Sequence, residues 1–181
     1  MTDSLPAHDL PSGILDLLES SKIALTIADA AVDDLPIIAA NQPFYDLCGY
    51  EPDEVLGLNC RFLQPAGGGG PVRKRLRDLL TDPGKNDGRF ALANERKDGT
   101  AFLNLVYITK LRENGAVRYF LGSQFDAGRF EPDADRYYRE ALSSDLRKLG
   151  QIGGEMGLVM LGNYDTLASS HALIAQAKLD D

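Results

Sequence analysis

Cys60 lies between Asn59 and Arg61 in the run Gly57-Leu58-Asn59-Cys60-Arg61-Phe62-Leu63-Gln64. A thiolate is a strong nucleophile, and a fixed positive charge next to a thiol favours the thiolate. Taken alone, a single cysteine is as readily a small buried hydrophobe. The second cysteine, Cys48, and the two histidines, His8 and His171, form no CxxC pair and no metal-ligand cluster with it. His171, flanked by Ser170 and Ala172, reads as a surface residue.

Three amides form the other chemical set. Side chains alternate across a strand. One face of residues 89–95 carries Phe90, Leu92 and Asn94. One face of residues 101–112 carries Phe102, Asn104, Val106 and Ile108, and one face of residues 117–125 carries Phe120, Gly122 and Gln124. Each set is apolar but for one amide. An amide left buried without a partner costs about 1–3 kcal/mol. Two readings stand: the amides face a cavity that takes a planar heterocycle with donors and acceptors on its edge, with Gly122 leaving room, or they face solvent or pair with one another.

The elements that must position these groups follow from pattern. Asp9 or Ser12 is expected to cap a short helix with Ile14, Leu15, Leu17 and Leu18 on one side. Residues 23–28 and 36–40 read as strands, with a turn-rich acidic loop at 29–35. Short helices follow at 44–48, ended by Gly49, and at 52–56, with Pro52 at the favoured first position and Gly57 at the stop. Four glycines at 67–70 form a linker, and Pro71 opens a basic helix to about residue 80. Strands are then expected at 89–95, 101–112 and 117–125, joined by a turn at 97–100 and by Asn114-Gly115, a strong hairpin signal. Gly128 and Pro132 break the pattern. Beyond them Tyr138, Leu142, Leu146, Leu149, Ile152, Met156 and Val159 recur as one helical apolar face, and 166–178 reads as a last helix. This order implies an α+β fold: a five-stranded antiparallel sheet with helices on one face, plus an N-terminal helix and a C-terminal helical extension. The expected divisions are a tail and cap helix at 1–22, a core domain at 23–127, and the extension at 128–181.

Composition narrows the function classes. The 181 residues carry a formal net charge of −8, which disfavours electrostatic binding to nucleic acid or anionic lipid. No apolar run reaches the length of a membrane span, and the polar, acidic first ten residues are unlike a signal peptide. Two free thiols and no disulfide suit a cytoplasmic protein. Residues beyond Phe125 hold no Gly-rich nucleotide loop, no kinase histidine box and no catalytic constellation, so no effector enzyme is expected.

The hexapeptide Asn59 to Gln64, NCRFLQ, resembles the signature of light-oxygen-voltage (LOV) domains, the flavin-binding branch of the PAS superfamily. The resemblance spans about residues 25–125 and includes Pro36-Ile37-Ile38 before Phe44, Gly49-Tyr50, Asn94, Asn104 and Gly122-Ser123-Gln124. It implies a blue-light photoreceptor, not an enzyme, in which Cys60 bonds reversibly to the C4a carbon of a non-covalently held flavin. It further implies that Asn59 and Gln64 lie near the ribityl chain and ring, that Arg61 and Arg77 hold the phosphate, and that Asn94 and Asn104 meet the pyrimidine edge. Gln124 is implied to contact the ring nitrogen beside the adduct carbon and to transmit the signal. Thr26, Ile37, Phe44, Leu63, Leu92, Val106, Ile108 and Phe120 are implied as cavity walls. FMN is the implied cofactor, with riboflavin or FAD as alternatives.

The chain departs from the family pattern in the tetraglycine stretch, in Ala28, where many relatives carry a hydroxyl, and in Leu103, where they often carry an aromatic. The expected form is a short LOV protein without an effector domain, pairing as a homodimer through sheet and flanking helices, with an unidentified downstream protein. A light-independent flavin redox sensor and a ligand-binding PAS interaction module are the alternatives.

Overall fold

A computed structural model describes residues 10–66, 72–129, 171, 172, 175–177 and 179. The expected linker at 67–70, the apolar stripe from Tyr138 to Val159 and Pro132 lie outside them.

Helix α1 (Ser12–Ser20) buries Ile14, Leu17 and Leu18. Its N-cap is Pro11, with no side-chain cap bond, so Ser12 is the first helical residue rather than the cap. Leu15 points away from that buried face and is 38% exposed. Strands β1 (Ala24–Asp29) and β2 (Ile37–Ala40) follow, joined by a loop in which Asp34 (φ 70°) and Leu35 (φ 50°) adopt left-handed backbone. Helix α2 (Gln42–Cys48) starts two residues before the expected position, because Asn41 caps it by accepting from the Phe44 N–H at 3.3 Å. The same Oδ1 accepts from the Leu25 N–H, and the Asn41 amide donates to the Ile23 carbonyl, both at 2.8 Å. One buried side chain thus ties α2 to β1. Gly49 ends α2 with φ 77°, a left-handed C-cap that glycine adopts without strain.

Helix α3 (Pro52–Val55) is followed by a 3-10 turn (Cys60–Leu63) and by α4 (Val72–Thr81). Strands β3 (Asp87–Glu95), β4 (Ala101–Glu113) and β5 (Ala116–Arg129) complete the sheet. Asn114 (φ 51°) and Gly115 (φ 83°) make the tight hairpin expected from their types. Strand β5 runs through Gly128 and across the expected boundary at 127/128. Ladder pairing with β4, from Glu113↔Ala116 to Phe102↔Arg129 with register shifts at Leu111/Arg112 and Phe102/Asn104, carries it past the glycine.

The strand order is β2-β1-β5-β4-β3, every pair antiparallel, which is the expected five-stranded sheet. Helices α2 and α3 share one apolar cluster with the 3-10 turn: Ala24, Ile37, Phe44, Cys48, Val55 and Leu63. Helix α4 packs Val72 and Leu79 on Phe90 and Ala93. The opposite sheet face, with Leu25, Ile27, Leu105 and Leu121, is covered by α1 and by Ala172, Ala175 and Leu179. His171 therefore departs from its expected surface role. It is half-buried, and its Nε2 lies 2.8 Å from Ser21 Oγ.

Candidate functional site

Between the sheet and the α3–α4 segment lies a cleft enclosing about 780 Å³ of space, its open mouth included. Strand periodicity explains what the sheet contributes. Thr26 and Ala28 come from β1, Leu92 and Asn94 from β3, Asn104, Val106 and Ile108 from β4, and Phe120, Gly122 and Gln124 from β5. Across the ladders Phe90 faces Val106, Leu92 faces Asn104, Val106 faces Gln124 and Ile108 faces Gly122. The amide-bearing face of each strand is thus the cavity face, one of the two readings that the alternation left open. Asn59, Cys60, Arg61, Leu63 and Gln64 line the cleft from the 3-10 turn.

Three expected residues lie elsewhere. Ile37 and Phe44 are fully buried in the cluster behind the turn and hold it in place rather than touching the cavity. Arg77 is exposed on α4 and is not part of the lining, where Leu76 and Leu80 stand instead. Those two are four residues apart, on one face of the helix. With Leu35 and Ala28 they complete the lining. The i,i+4 leucine pair was a legible signal for them; the loop position of Leu35 carried none.

The three amides both face the cavity and pair with one another, so the two readings of the pattern hold together. Asn104 Nδ2 donates to Asn94 Oδ1 at 2.8 Å and to Gln124 Oε1 at 2.7 Å. Asn94 Nδ2 donates to the Ala93 carbonyl at 2.7 Å. Asn104 Oδ1, fully buried, is left with no hydrogen-bond partner. A buried acceptor without a donor is costly, and here it belongs to a side chain that lines the cleft. A flat ligand with donors and acceptors along one edge and an apolar body would fit this lining, and a flavin ring has that form.

Cys60 is exposed and lines the cleft. The surrounding protein still withdraws the sulfur from bulk water, and that burial pushes its pKa up to about 11. A hydrogen bond with the Thr26 side chain pulls it back down in part, while the nearby Cys48 raises it. The expectation that Arg61 favours a thiolate is overturned. The Arg61 guanidinium is turned to Asp34, Nη2 to Oδ2 at 2.5 Å, and the sulfur is a protonated thiol at neutral pH. Gly122 sits against Thr26: a Cβ there would come within 2.7 Å of Thr26 Oγ1. The bare backbone at 122 thus leaves space for the hydroxyl that meets Cys60.

A family profile described as the PAS domain matches residues 26–127. The Rhodobacter sphaeroides LOV protein, a solved structure, is 29% identical, covers 92% of this chain and 94% of its own, and superposes with a TM-score of 0.62.

This chain is a LOV domain of the PAS superfamily.

The sequence of the LOV domain is 37% identical over 113 residues to blue-light-activated histidine kinase 1 of Erythrobacter litoralis, covering 62% of this chain and 31% of that protein. It is 34% identical, also over 113 residues, to the blue-light photoreceptor of Listeria monocytogenes, covering 62% of this chain and 44% of that protein. The chain therefore spans less than half the length of these two relatives. LOV domains are flavin-binding photoreceptors, and the relatives of this one support a role in sensing blue light. Among the described residues no helix is long and apolar enough to cross a membrane.

Proposed function

We propose that this LOV domain holds FMN in the cleft and reports blue light through reversible bonding of Cys60 to the flavin C4a carbon. The observation that carries the reading is the buried, unpartnered Asn104 Oδ1 at the centre of an amide chain, in a cavity whose wall also presents a free cysteine. When bound, the flavin supplies the light absorption and the electrophilic carbon. The chain's own part is to hold sulfur and proton ready: with a pKa of about 11, the thiol arrives with its proton, the sulfur bonding to C4a and the proton passing to N5. Leu63, Leu76, Leu80, Val106 and Ile108 keep water from that place.

Signal transfer follows from donor and acceptor roles. An oxidised N5 accepts and a protonated N5 donates, and a glutamine amide offers one group of each kind. Gln124 Oε1 already accepts from Asn104, so the Nε2 group is the one left for an acceptor on a ligand. Turning the amide to present Oε1 instead would set Nε2 against Asn104 Nδ2, donor against donor. Asn104 must then turn as well, offering its Oδ1. The change spreads along β4 and β5. Strand β5 leads towards the C-terminal extension, and the Gln176 amide accepts from the Arg112 N–H and donates to the Arg112 carbonyl, each at 2.8 Å. A change in that helical extension and in dimer state is the proposed output.

The test is spectroscopic. Protein with Cys60→Ala should remain yellow and lose reversible blue-light bleaching, whereas Cys48→Ala should bleach and recover. A Cys60→Ala protein that still forms the bleached state would sink the assignment.

A further inference from the structure

We propose that Asp34 is a specificity-determining residue at the mouth of the cleft: its carboxylate competes with a ligand's phosphate for Arg61. It thereby narrows the preference for a phosphorylated over an unphosphorylated flavin. This rests on the flavin reading of the cleft and deepens it.

Arg61 is the one charged side chain among the described lining residues, and so the natural seat for a phosphate. Asp34 already occupies it, at 2.5 Å. The carboxylate is held there deliberately. Asn59, itself a lining residue, donates from Nδ2 to the Asp34 carbonyl at 2.6 Å. Asp34 and Leu35 take left-handed backbone, which places Leu35 in the cavity lining and Asp34 beside the guanidinium. The Asx-type bond that the Arg61 N–H donates to Asn59 Oδ1 at 3.0 Å fixes the other partner. One asparagine therefore positions both members of the pair.

The pair is open to water, with side chains 57% and 56% exposed. Solvent screens such a pair, and it is weakly held, so a phosphate can displace the carboxylate. The carboxylate remains tethered nearby and repels the dianion through a short, screened distance. An unphosphorylated flavin meets neither effect.

The experiment uses the full chain stripped of flavin, titrated with FMN and with riboflavin at low ionic strength and followed by flavin fluorescence. Asp34→Asn keeps the shape and suits the left-handed backbone, where asparagine is well tolerated. FMN should bind about three- to tenfold more tightly to it than to wild type, with riboflavin unchanged within about twofold. The gain should shrink in about 0.5 M salt and, with Arg61→Gln as the reference, fall in the Asp34→Asn, Arg61→Gln double variant to the part due to relieved repulsion alone. An FMN-to-riboflavin ratio that is unchanged or lower in Asp34→Asn overturns the inference while leaving the flavin reading standing. If wild type binds neither flavin, the flavin reading itself fails, and this inference with it.

Discussion

The Cys60 thiol offers a direct test of which neighbour controls it. If Arg61 activated the sulfur, replacing the arginine would raise the thiol pKa and slow its alkylation. In the structure burial dominates, Thr26 partly offsets it, and Arg61 is engaged with Asp34. At pH 8 a thiol with a pKa of about 11 is thiolate in roughly one molecule in a thousand. An ordinary cysteine near pKa 8.5 is ionised in roughly a quarter of molecules. The deficit in thiolate is thus about 250-fold. A more basic thiolate is also a better nucleophile, which returns a factor of about 10 to 18. Alkylation of Cys60 in the flavin-free protein should therefore run about twentyfold slower than that of a free thiol. The assay is iodoacetamide labelling at several pH values in Cys48→Ala protein, quantified by mass spectrometry. Arg61→Gln should leave the rate within about twofold, while Thr26→Val, which removes the favourable hydroxyl, should slow it further. Below pH 9 the rate should rise about tenfold per pH unit. A plateau at pH 8, or a large slowing in Arg61→Gln, would refute burial as the controlling term. The same shift bears on stability. The folded-state pKa lies above the unfolded one, so this contribution is fully present below about pH 8.5 and is lost as pH rises towards 11.

Two further substitutions probe the amide chain. Asn104→Leu orphans two buried acceptors, at about 1–3 kcal/mol each, and removes one orphan, Asn104 Oδ1. Denaturant unfolding of flavin-free protein should show a net loss of about 1–3 kcal/mol, and flavin affinity should fall as well; an undiminished affinity would remove Asn104 from the ligand contacts. Gln124→Leu keeps similar bulk and loses the amide. It should still bleach under blue light, with a smaller light-induced change in hydrogen exchange of the C-terminal extension, and an undiminished change would relieve Gln124 of its signalling role.

Local chemistry determined much of this protein before any fold was in view. Period-two alternation put Asn94, Asn104 and Gln124 each on an otherwise apolar strand face, because successive side chains point to opposite sides of a strand; that these faces line a cavity was decided by the fold. Asn114-Gly115 set the β4–β5 hairpin, because few residues accept two consecutive positive φ angles. The segment from Asn59 to Gln64 pointed to the cleft wall only through its resemblance to the LOV signature, since a single cysteine taken alone is as readily a small buried hydrophobe.

Other features depended on groups distant in the chain. The 25-residue reach from Asn59 to Asp34 and the 27-residue reach from Arg61 to Asp34 turned Arg61 away from Cys60, and sequence adjacency to the cysteine gave no hint of it. The elevated thiol pKa is a property of the protein packed around the sulfur. His171 met Ser21 across 150 residues only because the C-terminal segment lies on the outer sheet face. Arg77 and Leu76 are neighbours in sequence, yet helix rotation puts the leucine in the cleft lining and leaves the arginine in water. Local patterning selects elements and their faces. Which charge meets which partner, and how much water each group keeps, is decided when those faces close on one another.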